Sequence, residues 1–366
     1  MNATAAVLHQ PNGPFSIEAV EVAQPQAGEV RVAIKAAGIC HTDLVVASGA
    51  MGLQFPAILG HEGAGIVDAV GEGVTSVKVG DKVLLTFNSC GACKPCSRHE
   101  PAYCNNFVPL NMIAARGDGS TRVTSEGDPV SDNFFGQSSF ASLAIANERN
   151  VLKVDDDADL SVLAPLGCGI QTGAGGVLRS LSAKAGETLV VLGAGAVGLS
   201  ALLGGKIAGC ATIIAVEPQE GRRALATQLG ATHVLDGQGD VAAAVRAIVR
   251  EGADMVLDTS GFMPVVAQSV NMIANRGRIG LLGVPGSLDA VLPVPVVQFI
   301  TQGGTVRGII EGDSDPAVFL PELIAHHKAG RLPVETFIKT YRLDQINEAI
   351  DDAHHGKCVK AVLIID

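Results

Sequence analysis

The sequence contains no tryptophan and only two tyrosines, and aromatic residues make up 4% of its 366 residues. It has no low-complexity tract and no internal repeat, so a repeat architecture is not expected. Glycine is abundant instead, at 44 residues, and 47% of the residues are hydrophobic. This composition is that of a globular α/β protein with many glycine turns, and the length allows two domains with sizeable cores.

Basic residues are in deficit, which gives the chain a net charge of −11. An acidic protein is a poor partner for nucleic acid or for an anionic membrane, so we expect neither. The first ten residues, MNATAAVLHQ, lack the basic and apolar regions of a signal peptide. Residues 188–205 carry no charge and are long enough to span a membrane as a helix, but their five glycines argue against a membrane helix. We therefore expect a cytoplasmic protein.

Four of the eight cysteines lie within fifteen residues, spaced C-x2-C-x2-C-x7-C. The short gaps let the backbone fold back so that the thiolates converge, and Gly91 and Pro95 supply turns between them. Tetrahedral Zn²⁺ takes four thiolates at about 2.3 Å, which leaves no open position for chemistry. An iron–sulfur site and two disulfides are the alternatives, but known cluster spacings differ and a reducing compartment disfavours disulfides. The pattern predicts a structural zinc lobe formed by Cys90, Cys93, Cys96 and Cys104.

Residues 1–85 are typical of short β-strands, since Val30, Val32 and Ile34 alternate with polar or small residues and glycine-rich turns recur. They predict a small barrel or sandwich. Residues 105–150 predict a long loop that leads to a strand at 142–145.

A second set of metal-ligating residue types is scattered among glycine-rich turns. Cys40 lies in GICHTD (residues 38–43), His61 in GHEG (residues 60–63) and Cys168 in PLGCGIQTG (residues 165–173). Two cysteines, a histidine and a water are a ligand set for catalytic zinc. Spacing alone does not bring these residues together, and a lone cysteine is usually a small buried hydrophobe. On pattern alone both interpretations stay open.

From about residue 171 the pattern changes to alternating strands and helices. A buried strand at 189–192 precedes G-x-G-x-x-G, followed by a helix to about 208, a strand at 213–216 and the acidic Glu217. This is the complete dinucleotide-binding fingerprint, and a carboxylate at that position favours NAD over NADP. Arg222 and Arg223 follow one turn later and weaken that preference. The expected dinucleotide contacts are Gly193, Gly195, Val197, Gly198, Glu217 and Arg222.

The alternation continues and predicts a doubly wound sheet of six strands. The predicted elements are helix 219–229, strand 232–235, helix 240–250, strand 254–258, helix 264–275, strand 278–283, strand 305–310, helices near 316–329 and 343–355, and a strand at 361–365. The final strand is typical of the first half of the chain, to which we expect it to return.

Taken together, these motifs resemble the zinc-dependent medium-chain alcohol dehydrogenases, in the same order and over essentially the whole chain. FFGQSSF at residues 134–140 and PLGCGIQTG are most similar to the aryl (benzyl) alcohol dehydrogenases of that family. The resemblance implies an α/β protein with an active site in the cleft between two domains. Residues 1–170 and 305–366 would form a GroES-like β catalytic domain, and residues 171–304 a Rossmann domain with a doubly wound parallel sheet.

The resemblance also implies roles for the scattered residues. Cys40, His61 and Cys168 would hold a catalytic zinc, the second zinc of the chain, and Asp43 would orient His61. Glu62 would lie near that metal, either as an exchangeable ligand or as a carboxylate just outside it.

Three further residues would serve proton transfer and the cofactor. Thr42 would hydrogen-bond the alcohol oxygen and take its proton. His41 and Lys360 would reach the pyrophosphate of NAD; the alternative for His41 is an exposed loop residue. In liver-type members a histidine five residues after the first zinc cysteine continues the proton relay; that position here is Val45. We expect Thr42 to pass its proton to water without a histidine base.

The implied activity is the zinc-dependent, NAD-linked, reversible oxidation of primary aryl or allylic alcohols to aldehydes. Alternatives are the glutathione-dependent formaldehyde dehydrogenase branch and a zeta-crystallin-like relative that binds nucleotide without catalysis. A homodimer or homotetramer is expected. Five phenylalanines are candidates for an aromatic substrate pocket: Phe55, Phe87, Phe107, Phe134 and Phe262.

Overall fold

The structure is a computed structural model that describes residues 1–49, 51–287 and 289–366. Its internal contacts divide the chain into two compact units. The first comprises Met1–Cys168, Asp315–Ile324 and Val334–Asp366, and the second Gly169–Ser314 and Ala325–Pro333. The chain therefore leaves the first unit after Cys168 and returns to it at Asp315, and it enters the second unit again for Ala325–Pro333.

The first unit is built on β-sheets. Its strands are β1 (Asn2–Leu8), β2 (Phe15–Val22), β3 (Glu29–Gly38), β4 (Ala57–Ile58), β5 (Glu62–Val70), β6 (Lys82–Leu85), β7 (Val123–Ser125), β8 (Asp128–Val130), β9 (Leu143–Asn147), β10 (Val151–Lys153), β17 (Ile338–Arg342) and β18 (Lys360–Ile364). Within the described residues they form one sheet in the order β4-β1-β2-β7-β8 and another in the order β10-β6-β5-β3-β18-β17, with β9 also paired to β3.

Strand β3 is the centre of the second sheet. It pairs antiparallel with β5, β9 and β18, so residues from four distant parts of the chain meet along it. Its last residue, Gly38, is in register with both Glu62 of β5 and Val362 of β18. This end of β3 leads directly into the GICHTD segment, so the sheet fixes where that segment begins.

Short helices connect these strands. They are α1 (His41–Ala47), α2 (Phe107–Asn111), α3 (Leu160–Leu163), α11 (Pro316–Lys328) and α12 (Ile346–His354), with 3₁₀ turns at Cys96–Arg98, Pro101–Tyr103, Phe134–Gly136, Glu148–Asn150, Ala164–Gly167, Val334–Phe337 and Leu343–Gln345. Residues 105–150, predicted to be mostly loop, contain α2, β7 and β8 before β9.

The second unit has a parallel sheet in the order β13-β12-β11-β14-β15-β16. Its elements are α4 (Gly169–Gly175), a π-helical turn (Gly176–Ser180), β11 (Thr188–Leu192), α5 (Ala196–Ala208), β12 (Thr212–Val216), α6 (Glu220–Leu229), β13 (His233–Leu235), α7 (Val241–Ile248), β14 (Ala253–Asp258), α8 (Met263–Val266), α9 (Ser269–Met272), β15 (Ile273–Leu281), α10 (Val296–Gln302), β16 (Thr305–Gly308) and a 3₁₀ turn at Glu311–Asp313. The predicted doubly wound sheet is confirmed. Its core consists of apolar side chains from the central strands, including Val190, Ile214, Val256 and Ile279.

Two sequence predictions in this unit need correction. The single helix at 264–275 is two short helices, because the Gln268 N–H bonds to the carbonyl of Val265, three residues back, and tightens the turn. The return to the first unit comes at Asp315 rather than at 305, because β16 pairs with β15 and keeps residues 305–308 in the parallel sheet.

No single helix among the described residues is both long and apolar enough to span a membrane. One bent pair, Leu160–Gly167 with Gly169–Ser180, passes on length and composition alone. The uncharged run at 188–205 is β11, a turn and most of α5.

Candidate active site and metal centres

The carboxylate of Asp43 is completely buried and connects two separate segments. One oxygen accepts the N–H of Cys40 at 2.8 Å, and the other accepts the N–H of Gly60 at 3.1 Å and Nδ1 of His61 at 2.9 Å. Asp43 is the third residue of α1, where a carboxylate favours the start of a helix. One side chain thus sets the positions of both Cys40 and His61.

The His61 ring is held on its edge and on its face. Because Nδ1 bonds to Asp43, Nε2 is left to act as a ligand, and it is buried without a hydrogen-bond partner among the described residues. Phe135 stacks on the ring, with centroids 4.3 Å apart and an interplanar angle of 24°, and Phe134 meets it edge-on at 5.3 Å. A buried, orphaned imidazole nitrogen in a fixed ring is what a metal ligand requires.

Cys168 is brought to the same place by a chain of buried hydrogen bonds. Gln137, which is 0% exposed, donates to the carbonyls of His61 at 2.9 Å and Thr86 at 3.1 Å. The Thr86 hydroxyl in turn donates to the carbonyl of Gly167 at 2.7 Å, next to Cys168. The backbone that carries His61 is therefore tied to the backbone that carries Cys168.

The structure brings the scattered ligand candidates together. One ligand atom from each of Cys40, His61, Glu62 and Cys168 lies within 4.8 Å of the other three. A hydrogen bond from Cys168, helped by the nearby charges of His61 and Lys360, holds the pKa of Cys40 well below its usual range. Burial lowers the pKa of His61, but the carboxylate of Asp43 outweighs burial and raises it well above its usual range. Two thiols and an imidazole nitrogen that converge on one point are donors that zinc takes, so this donor set fits zinc.

Lys360 lies beside this cluster, as the ion-pair partner of Glu62. Its side chain is 3% exposed, and its Nζ lies 2.5 Å from Oε2 of Glu62 and donates to the carbonyl of Ile39 at 2.9 Å. In this structure β18 begins beside β3, and the ammonium is the counterion of a buried carboxylate. Contact of Lys360 with the pyrophosphate of NAD stays a prediction.

Thr42 and His41 occupy the first turn of α1. The Thr42 hydroxyl lies 3.8 Å from Sγ of Cys40, within the cluster, and His41 is exposed. Val45 follows on the same helix.

The four clustered cysteines also converge. Their sulfur atoms all lie within 4.8 Å of one another, with Cys93 and Cys96 at 3.4 Å. All four are free thiols, so the alternative of two disulfides is not formed. Backbone N–H groups point at the sulfurs, from Cys90 to Cys104 at 3.3 Å and from Asn105 to Cys93 at 3.5 Å. Such donors stabilise thiolates that hold a metal.

The thiols of this lobe do not ionise together on their own. Backbone N–H groups of Ala92 and Cys93 lower the pKa of Cys90 to about 6, whereas burial raises the pKa of Cys96 to about 12. A divalent cation is what allows four adjacent thiols to be thiolates at neutral pH.

The dinucleotide fingerprint forms the predicted strand-to-helix turn. Gly193 has φ +95°, the left-handed region that favours glycine, and Gly195 caps the N-terminus of α5. A Cβ on Gly198 would lie 2.0 Å from the carbonyl oxygen of Gly193, so only glycine permits this close packing. Val197 lies in the first turn of α5.

Glu217 is more enclosed than the fingerprint suggests. It is 4% exposed, and its two oxygens accept the N–H groups of Ala194 at 2.8 Å and Gln219 at 3.0 Å. It therefore braces the glycine turn. The Arg223 guanidinium donates to the carbonyls of Glu217 and Pro218, and Arg222 is half-buried.

The predicted aromatic pocket is only partly consistent with the structure. Phe87, Phe107 and Phe134 are buried and pack, with Phe135, into an aromatic cluster behind His61. Their faces are not free for a substrate. Phe55 is half-buried and Phe262 is 59% exposed.

Sequence reasoning assigned no role to Phe135 or Gln137. Phe135 has φ +51°, a conformation that a bulky side chain rarely adopts, and it is kept there by its contacts. The available signal was a run of three polar residues between phenylalanines, in FFGQSSF, since a polar side chain among phenylalanines must find partners when buried.

Comparison with known proteins identifies the family. Residues 26–156 match the alcohol dehydrogenase GroES-like domain, and residues 196–325 match the zinc-binding dehydrogenase domain. The chain is 44% identical to a geraniol dehydrogenase of Castellaniella defragrans, over all of this chain and 98% of that protein. The chain belongs to the zinc-dependent medium-chain alcohol dehydrogenase family.

Solved structures agree with this assignment. An alcohol dehydrogenase zinc-binding domain protein from Burkholderia ambifaria superposes with a TM-score of 0.98 at 43% identity, covering 100% of this chain and 99% of that one. Benzyl alcohol dehydrogenase from Acinetobacter calcoaceticus superposes with a TM-score of 0.96 at 38% identity, over the full length of both chains. The predicted family and the GroES-like and Rossmann fold are confirmed.

The two cysteine sites should respond differently to substitution. Cys168→Ser should lose one metal equivalent with little change in melting temperature, because the surrounding sheet remains. Cys96→Ser should lower the melting temperature markedly, because a structural zinc contributes folding free energy directly. Metal analysis and thermal unfolding of dialysed protein measure both effects. Cys210→Ser, outside both clusters, is the control, and a Cys96→Ser protein with unchanged metal content and melting temperature would contradict the structural site.

Proposed function

We propose that this protein is an NAD-linked alcohol dehydrogenase that interconverts primary aryl or allylic alcohols and their aldehydes. It would carry two zinc ions per chain, one in each cysteine-containing cluster. The observation that carries the proposal is the convergence of Cys40, His61 and Cys168 around the orphaned Nε2 of His61. A nucleotide-binding relative without catalysis would not need this arrangement.

Some of the site residues would hold the metal, and others would transfer the proton. Cys40, His61 and Cys168 would hold zinc, which when bound lowers the pKa of the alcohol. Asp43 keeps His61 in the tautomer that presents Nε2. Phe134 and Phe135 cover the ring and keep water from it.

Thr42 is the group placed to receive the alcohol proton. Its hydroxyl lies in the metal cluster, 3.8 Å from the sulfur of Cys40. Val45, on the same helix, has no proton-accepting atom, and His41 points to solvent, so water is the next acceptor after Thr42. NAD would accept the hydride at the Rossmann unit.

The substrate class rests on two relatives. Their names specify geraniol and benzyl alcohol, and in both of these alcohols the carbinol carbon is attached to a π-system. The preference for NAD rests on Glu217, whose remaining lone pairs can accept ribose hydroxyls, and on Arg223, which is engaged with backbone carbonyls.

A panel of alcohols tests the activity. Benzyl, cinnamyl and geranyl alcohols should exceed ethanol in kcat/KM by orders of magnitude, and NAD should exceed NADP. Initial rates with each alcohol and both cofactors give these ratios, with S-hydroxymethylglutathione as the probe of the formaldehyde branch. Comparable efficiency with ethanol and benzyl alcohol would exclude the proposed class, and equal efficiency with the two cofactors would exclude the NAD preference.

Substitution of Thr42 tests the proton route. Thr42→Val should lower kcat by about two orders of magnitude or more, the usual size of a general acid–base contribution, while Thr42→Ser keeps the hydroxyl and most of the rate. His41→Gln should raise the KM for the cofactor without changing the shape of the single-turnover pH profile. If a titration disappears in His41→Gln, then His41 and not water is the proton acceptor.

We also propose that two copies associate through β16. This strand ends the parallel sheet, all four of its residues are exposed, and no described residue pairs with its outer edge. Apolar side chains in the segment that precedes it in the chain are exposed as well: Val291, Val296, Val297 and Ile300. An identical strand related by a two-fold axis supplies complementary backbone groups and covers this surface.

Light scattering measures this association. The wild-type mass should be two or more chains, and Val306→Lys should shift the protein toward the monomer, because a charge on the edge opposes strand pairing. Val318→Lys, at an exposed apolar position on α11, is the control. A monomeric wild type, or no shift in Val306→Lys, would contradict the interface.

A further inference from the structure

Glu62, Gly38 and Lys360 form an arrangement across three adjacent strands. Glu62 begins β5, Gly38 ends β3 and Lys360 begins β18, and Gly38 is in register with Glu62 on one side and with Val362 on the other. The Glu62 carboxylate must cross the end of β3 to reach Lys360. The three strands thus place the Glu62 carboxylate, the backbone of Gly38 without a side chain, and the Lys360 ammonium next to one another.

Gly38 is a glycine because of this crossing. A Cβ at Gly38 would lie 1.9 Å from Oε2 of Glu62 and 3.0 Å from its carboxyl carbon, so the carboxylate would have to move if a side chain were present. Its φ lies outside the left-handed region, so the backbone itself would accept any residue. The missing side chain is therefore needed for the space that the carboxylate occupies.

Lys360 holds the carboxylate at the far end of this space. Its Nζ lies 2.5 Å from Oε2 of Glu62 and also bonds to the carbonyl of Ile39, the residue before Cys40. Both side chains are almost completely buried, at 3% and 0% exposure. A buried carboxylate requires a cationic partner, since an unpaired one costs several kcal/mol of desolvation free energy.

The same carboxylate is within reach of the metal cluster. A Glu62 oxygen lies within 4.8 Å of the ligand atoms of Cys40, His61 and Cys168. Glu62 therefore has two possible cationic partners, the ammonium of Lys360 and a divalent ion held by the other three residues. With Glu62 bound the ion has four protein ligands and a closed site; without it one position is open.

We propose that Lys360 is a positioning residue that, together with the space over Gly38, keeps Glu62 from becoming a permanent fourth ligand. Without the ammonium, the carboxylate would turn to the divalent ion and close the site. Removing a positive charge near the metal should then make the metal more firmly held, the opposite of the effect of a purely structural lysine. This inference rests on the proposed zinc centre and concerns how that centre stays open.

Release of zinc from the loaded protein tests the proposal without any measurement of activity. The rate of release is followed with a chromogenic chelator. The kinetic phase of zinc release that is missing in the Cys168→Ser protein is assigned to this centre. Lys360→Met should slow this phase by about 10–100-fold, the usual effect of a residue behind a metal ligand on metal affinity. Lys360→Arg, which keeps the charge, should release zinc as the wild type does.

The double variant Lys360→Met/Glu62→Gln separates the two roles. Its rate of zinc release should equal that of the single variant Glu62→Gln, because the neutral amide is not drawn to the metal ion when the ammonium is removed. The Co²⁺-loaded Lys360→Met protein should show a visible spectrum that differs from wild type, and the double variant should lose that difference. Release from Lys360→Met that is unchanged or faster would overturn the proposal.

Gly38→Ala provides a second route if Lys360→Met does not fold. The added methyl occupies the space of Oε2 and pushes the carboxylate from Lys360 while the ammonium stays in place, so release should again slow. An unchanged rate in Gly38→Ala would equally overturn the proposal. Failure of the zinc centre itself is recognised separately, because the wild type would then bind only the metal of the cysteine lobe.

Discussion

The active centre depends on the burial of one carboxylate. Asp43 is shielded from water, so its charge must be balanced by donors on every side. The start of α1, the Gly60 N–H and the His61 ring supply them, and they stay in place because moving any one leaves a buried charge poorly solvated. Cys40 and His61, two ligands from separate segments, are thereby fixed relative to each other.

The two cysteine-containing sites differ in how far apart in the sequence their ligands lie. The lobe takes its ligands from one short segment, so its own turns bring the sulfurs together. The active centre assembles β3, β5, β18 and the end of a 3₁₀ turn, so its geometry exists only when the sheet has formed. Loss of local structure therefore threatens the lobe, and loss of strand register threatens the centre.

This difference in sequence separation explains which features could be predicted from the sequence. The lobe and the glycine turn follow from spacing alone, because their residues are close in sequence. The Cys40, His61 and Cys168 set followed only from the resemblance, since periodicity does not show which strands pair. The roles of Phe135 and Gln137 and the pairing of Lys360 with Glu62 were not predicted, because each depends on a contact between distant segments. The boundary at 315 escaped because an edge strand such as β16 has no distinctive sequence pattern.

The pairing of Lys360 with the region before Cys40 has a consequence for the order of events during synthesis. Ile39 and Lys360 are 321 residues apart, so a ribosome takes on the order of tens of seconds to pass from one to the other. Throughout that interval the nascent chain carries Cys40, His61 and Glu62 without the ammonium that balances the carboxylate. Assembly of the centre is consequently a late event, completed only when β18 has been made and has paired with β3.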